Sequence, residues 1–127
     1  MAQGKKILIV EDDGPMRQTL GERFKHEGFN VITAVDGDSG IAMSREHHPD
    51  LLIVDILLPH TDGISMLKQI RVEGEWGKSV PVIILTNLPP HSEEMNEAIA
   101  STEPAYFLTK SSITPKEIVE RVRERLG

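Results

Sequence analysis

The chain has 127 residues, 39% of them hydrophobic (about 47% once the 10 glycines are counted) and 27% charged, the make-up of one ordinary globular domain, which excludes an intrinsically disordered chain. Fourteen basic residues against 20 acidic ones leave a net charge of −6, with no basic block and 4% aromatics, so direct nucleic-acid binding through phosphates or stacked bases is excluded as the main role. There is no cysteine, hence no disulfide scaffold, thiolate metal site or cysteine nucleophile.

A short apolar run followed by an amphipathic stretch recurs five times along the chain. Residues 7–10 (ILIV) are uninterrupted and β-branched, the pattern of a strand buried on both faces. No secretory h-region precedes them and no apolar run approaches the ~18 residues of a membrane span, so the cytoplasm is the expected compartment and no membrane partner is expected. Met16, Leu20 and Phe24 recur every four residues and predict a helix ending near Gly28. Residues 30–34 read as a second strand and 38–47 as a second helix, with Ile41 and Ala42 inward; residues 51–54 (LLIV) are a third, fully apolar strand. Asp62 is the expected N-cap of a helix carrying Ile64, Leu67 and Ile70. Residues 73–77 (EGEWG) read as a Gly-rich connection in which Trp76 packs over a helix end.

The fourth strand is expected over 80–85, approached through Pro81, where a missing N–H is tolerable. A short acidic helix follows over 91–100 with Met95 and Ile99 inward, and a fifth strand over 105–108. The last helix has the clearest start: Thr114 as N-cap, Pro115 at N1 and Glu117 at N3 form a capping box, with Ile118, Val119, Val122 and Leu126 facing inward. Five βα units specify an α/β fold, a single doubly wound (βα)5 domain over 1–127 with a parallel five-stranded sheet covered on both faces. In such sheets the functional crevice lies at the carboxyl ends of the strands.

Those ends carry complementary chemistry. Glu11, Asp12 and Asp13 follow the first strand, Asp55 the third, Thr86 the fourth and Lys110 the fifth. Crowded carboxylates repel, and a hard divalent cation such as Mg²⁺ removes that repulsion with one or two carboxylates and several waters. With a hydroxyl and an ammonium beside it, such a site suits a dianionic phosphoryl group, which a remaining carboxylate can accept as nucleophile. Taken singly, each residue has a plainer reading: Asp13 as a helix N-cap, Thr86 as a turn residue, Lys110 as a solvated charge. Four strand ends supplying matched chemistry favour function.

Five stretches in this order resemble the receiver domain of two-component response regulators: 6–13 (KILIVEDD), 49–59 (PDLLIVDILLP), 60–63 (HTDG), 81–86 (PVIILT) and 106–110 (YFLTK). The resemblance covers essentially the whole chain. It implies a flavodoxin-like sheet in the order 2-1-3-4-5, with Asp55 as phosphoacceptor for a sensor histidine kinase or phosphotransfer protein. It further implies Mg²⁺ held directly by Asp12 and Asp55, by Glu11 through water and by the backbone carbonyl of Leu57. Thr86 and Lys110 would engage the phosphoryl group, and Phe107 falls at the aromatic switch position. The implied output surface is the helix at 91–100 with strand five and the last helix, a face compatible with homodimer pairing, which passes the signal to a downstream output domain or protein. No output domain is expected within 1–127, and no enzymatic activity beyond self-catalysed phosphoryl acceptance and autodephosphorylation.

Departures from the family pattern carry expectations of their own. Ser111 stands where a cis-proline is usual, so a trans peptide is expected after Lys110. Asn87, larger than usual, is expected to restrict access, and Glu103-Pro104 to stiffen the output face. Leu57 and Leu88 hold positions that tune hydrolysis in the family; both are apolar, so slow autodephosphorylation is expected. The histidines read as structural: His47 and His48 cap the second helix, and His60 and His91 are solvated loop residues. The methionines read as core filler, and the Arg/Glu alternation over 117–125 as a solvated face with i,i+4 pairing. Among other readings, an Asp-nucleophile phosphatase would want a second Asp at position 57, and a flavin-binding domain would want a Ser/Thr/Gly-rich loop at 11–13. A phosphate-independent docking module with the same fold is the alternative that remains.

Overall fold

A computed structural model describes residues 4–89 and 92–127. The strands are β1 (Lys6–Val10), β2 (Asn30–Ala34), β3 (Leu51–Val54), β4 (Val82–Thr86) and β5 (Tyr106–Thr109). They form one parallel sheet in the order β2-β1-β3-β4-β5, the expected fold class and strand order. The helices are α1 (Gly14–His26), α2 (Gly37–His47), α3 (Gly63–Arg71), α4 (Glu75–Ser79), α5 (Glu93–Thr102) and α6 (Pro115–Leu126), with a 3₁₀ turn at Lys110–Ser112.

Two-residue alternation along the strands splits the core into two layers. Leu8, Val10, Leu52, Val54, Val82 and Ile84 pack with Met66, Leu67, Ile70 and Ala98 of α3 and α5. Ile7, Ile9, Leu51, Ile53, Ile83 and Leu85 pack with Leu20, Phe24, Ile118, Val119 and Val122 of α1 and α6. The chain runs outward from β1 to β2 and then crosses to β3 on the other side. The strand order therefore reverses between β1 and β3, and their carboxyl ends open the crevice.

The caps behave as the sequence suggests, with one addition. Asp62 accepts a hydrogen bond from the Ser65 amide at 2.9 Å, and Thr114 and Glu117 form the reciprocal capping box. Asp36 and Ser39 form another at α2, which therefore starts at Gly37. Strand boundaries shift toward the carboxyl end: β4 runs to Thr86 and β5 to Thr109, one residue beyond the expected ends. The acidic helix is α5, beginning at Glu93 behind its N-cap Ser92; the expected start at His91, and the loop reading of His91, lie outside the described residues.

Four expectations are corrected. There are six α-helices among the described residues, because the Gly-rich connection contains α4. Trp76 is anchored there by its indole N–H, which donates to the Pro49 carbonyl at 2.8 Å, while its ring stacks on His48 at 4.8 Å and 3°. Ala42 is exposed and Ser44 takes the inner position of α2; Ile99 is 43% exposed while Ala98 is buried. The charges of α6 pair at i,i+3 (Arg121–Glu124) and with Glu27, the C-cap of α1 (Arg123–Glu27, 2.9 Å), not at i,i+4. His60 is an exposed loop residue, as expected, with its Nε2 3.8 Å from the Asp36 carboxylate. His48 does cap α2, through a left-handed backbone whose N–H donates to Ser44.

Candidate functional site

The Glu11 amide donates to the Ala34 carbonyl at 3.1 Å and the Asp55 amide to the Val10 carbonyl at 3.2 Å, extending the β1–β2 and β1–β3 pairings by one step. Ladder geometry thus holds both residues at the sheet edge, where Glu11 is 2% and Asp55 5% exposed. Asp12 remains exposed, and its carboxylate joins theirs: one oxygen from each of Glu11, Asp12 and Asp55 lies within 4.8 Å of the others. Asp13 turns away to cap α1, as expected. The Arg17 guanidinium donates to the Glu11 carbonyl at 2.8 Å and the Asp12 carbonyl at 3.4 Å, fixing the acidic turn from behind. Arg17 was not singled out by its sequence position; its place on the first turn of α1 after an acidic run is the only signal.

Lys110 reaches the cluster from the turn after β5. Its ammonium donates to Asp55 Oδ2 at 2.6 Å and contacts Glu11 Oε1. Burial opposes the Lys110 charge, but hydrogen bonds to Asp55 and Glu11 outweigh that and hold its pKa above 10.5. Glu11 moves the same way: burial raises its carboxyl above 4.5 despite the Lys110 hydrogen bond, and the Asp55 charge adds to the rise. The two directions agree physically: the ammonium gains from two carboxylates, while burial of Glu11 costs its carboxylate more than the contact with Lys110 returns.

Thr86 ends β4, in register with Thr109. It is completely buried, and its Oγ1 has no hydrogen-bond partner. Phe107, in register with Ile84, is half-buried beside the α3/α5 layer of the core, which Leu88 also contacts. Asn87 does not stand free over the site: its Oδ1 accepts from the Ser111 amide at 3.1 Å, tying the turns after β4 and β5 together. No cis peptide occurs among the described residues, so the Lys110–Ser111 bond is trans, as expected.

The segment after β3 folds back on Asp55. The Leu57 amide donates to Asp55 Oδ1 at 3.1 Å while its side chain stays 53% exposed, and Gly63 and Leu58 donate to the Ile56 carbonyl at 2.9 and 3.1 Å. A β-carbon on Gly63 would lie 2.1 Å from the Asp55 carbonyl oxygen; only glycine lets α3 begin this close. Three carboxylate oxygens within reach of one another and no soft ligand make a donor set that fits a hard divalent cation.

Residues 7–123 match the family model for the response regulator receiver domain. The chain belongs to that family. The receiver is 30% identical over 119 residues to the alkaline phosphatase synthesis transcriptional regulatory protein PhoP of Bacillus subtilis, covering 94% of this chain and 47% of PhoP. It is 32% identical over 121 residues to the transcriptional regulatory protein ResD of the same organism, covering 95% of this chain and 48% of ResD. The receiver thus spans about half the length of these curated relatives. Among solved structures, the receiver domain of Francisella response regulator 1452 superposes with a TM-score of 0.83 at 29% identity, covering 95% of each chain. The chemotaxis response regulator CheY4 of Vibrio cholerae shares the fold with a TM-score of 0.85 at 24% identity, over 98% of this chain and all of that one.

Proposed function

We propose that this receiver is a phosphorylation-dependent signalling switch that accepts a phosphoryl group on Asp55 from a sensor histidine kinase or phosphotransfer protein. An Asp55 carboxylate oxygen attacks phosphorus; the O–P bond forms as the P–N bond to the donor imidazole breaks, and the imidazole leaves with the electron pair. Lys110, already on Asp55, pairs with the incoming phosphoryl oxygens, and the unpartnered Thr86 hydroxyl supplies a donor by turning toward them. Asp12 and Asp55 directly, Glu11 through water and the Leu57 carbonyl are the residues that would hold Mg²⁺. When bound, that ion neutralises the carboxylates and the phosphoryl charge. The observation that carries this reading is the bridging of Glu11 and Asp55 by Lys110 at the sheet's switch point.

Phosphorylation adds about −1.5 to −2 charges at one point. Recruiting Thr86 and Lys110 to it biases α5, β5 and α6 toward a second packing, with Phe107 moving sterically because it has no hydroxyl to exchange. That face is the proposed contact with a downstream output domain or protein, or with a second copy of the chain, in the cytoplasm. PhoP and ResD are transcriptional regulators by name, and regulation of transcription by a longer protein is the corresponding proposal here. Leu57 and Leu88 orient no water, so the phosphoaspartate is long-lived; its decay set against that of a variant polar at both positions measures this. Beryllofluoride with Mg²⁺ tests the switch. Amide shifts at Thr86, Phe107 and Lys110 that spread into α5 and α6 are expected, and their absence would support the phosphate-independent docking module.

A further inference from the structure

The segment that carries Asp55 and Leu57 is held at its inner end by hydrogen bonds to Asp55 and Ile56. Its outer end leans on a different part of the sheet edge, the turn between β2 and α2. Thr61 Oγ1 donates to the carboxylate of Asp38, 23 residues away in sequence. Gly37 packs directly against Thr61: a β-carbon there would sit 1.8 Å from the Thr61 carbonyl oxygen and 2.8 Å from Thr61 Cβ. His60, the residue before, holds a left-handed backbone at φ 64 and faces Asp36, whose carboxylate is itself fixed by the Ser39 amide and hydroxyl at 2.7 Å each. A non-glycine residue in that conformation persists only where its surroundings hold it, and here the turn at 36–38 supplies those surroundings.

We propose that Asp38 and Thr61 are positioning residues for the phosphoacceptor segment: their hydrogen bond sets where the Asp55 carboxylate and the Leu57 carbonyl stand. This rests on the proposed reading of those two groups as Mg²⁺ ligands. Neither Asp38 nor Thr61 reaches the carboxylate cluster; they act through the backbone between residues 55 and 61. Partners that orient metal ligands through one hydrogen bond commonly cost roughly 10–100-fold in affinity when removed. A clamp one step further out is expected to cost about three- to tenfold.

The test is a Mg²⁺ titration of the full chain, followed by the amide shifts of residues 55–63, on the wild type and four variants, with thermal unfolding recorded for each. Thr61→Val and Asp38→Ala remove the hydrogen bond. Thr61→Ser and Asp38→Asn keep a donor and an acceptor, and Asp38→Asn also discards the charge that favours the start of α2. The expected result is weaker Mg²⁺ binding for Thr61→Val and Asp38→Ala, wild-type binding for the two conservative variants, and a double variant no weaker than either single one. Affinity that follows melting temperature instead of the hydrogen bond, or Thr61→Val and Asp38→Ala binding as the wild type does, would overturn the clamp and leave the proposed function standing. Failure of the wild type itself to bind Mg²⁺ would overturn the proposed function and the clamp with it.

Discussion

Thr86 and Glu11 are the two residues at which the site departs from what folding alone would select. A buried hydroxyl without a partner costs about 1–3 kcal/mol of desolvation, and Thr86 has one at the end of a fully buried strand. Thr86→Val keeps the branched shape and is expected to raise stability by about 1 kcal/mol in urea unfolding, while abolishing the response of α5 and α6 to beryllofluoride. Lower stability in that variant would mean that the hydroxyl has a use in the resting fold. Glu11 contributes the second cost. Its folded pKa is raised above 4.5, chiefly by burial, so the folded state binds its proton more tightly than the unfolded chain does. Stability therefore falls as pH rises from 4.5 through the raised folded value. Lys110 acts at the other end of the scale: raised above 10.5, it contributes stability that is full below 10.5 and lost as pH climbs through its folded value. Glu11→Gln is expected to gain on the wild type as pH increases above 4.5. Parallel stability curves for the two proteins would contradict the assignment.

At the scale of elements, the close start of α3 against β3 is the contact on which the site's geometry depends. Gly63→Ala would drive a β-carbon into the backbone of Asp55 and Ile56, at 2.1 and 2.8 Å. It is expected to cost roughly 2–3 kcal/mol, the upper range for overpacking, and an unchanged urea midpoint would count against this. The strands were legible because both-face burial leaves uninterrupted apolar runs such as residues 51–54, and α6 because Thr114, Pro115 and Glu117 spell its start. α4 was not legible, since five residues preceded by Gly74 at φ 139 carry no helical periodicity. The inner faces of α2 and α5 were misread because Ala42 and Ile99 are more apolar than Ser44 and Thr102, yet helix phase buries the latter pair. The capping box at α2 escaped because its N3 residue is Ser39 and not Glu or Gln. The contacts of Arg71 escaped as well: its guanidinium donates to the carbonyls of Gly77, Val80 and Thr102 at 3.0, 2.6 and 3.0 Å. It thereby ties the end of α5, where Glu103 adopts φ 47, to the start of β4, and no local pattern announces a bond that spans 31 residues.

For the whole molecule, the strand ends named Glu11, Asp12, Asp55, Thr86 and Lys110 from sequence, and the fold brings four of them into direct or near contact: the three carboxylates and Lys110. That Lys110 serves two carboxylates at once, and that Asn87 Oδ1 accepts from the Ser111 amide, are long-range facts with no local signature. The central claim is that Asp55 accepts a phosphoryl group in a Mg²⁺-dependent way. Intact-mass spectrometry after incubation with Mg²⁺ and a small acyl-phosphate donor tests it most directly, with Asp55→Asn and a chelator-treated sample alongside. The expected result is one added phosphoryl group on the wild type, absent from both controls. An adduct that persists in Asp55→Asn, or no adduct on the wild type, would contradict it.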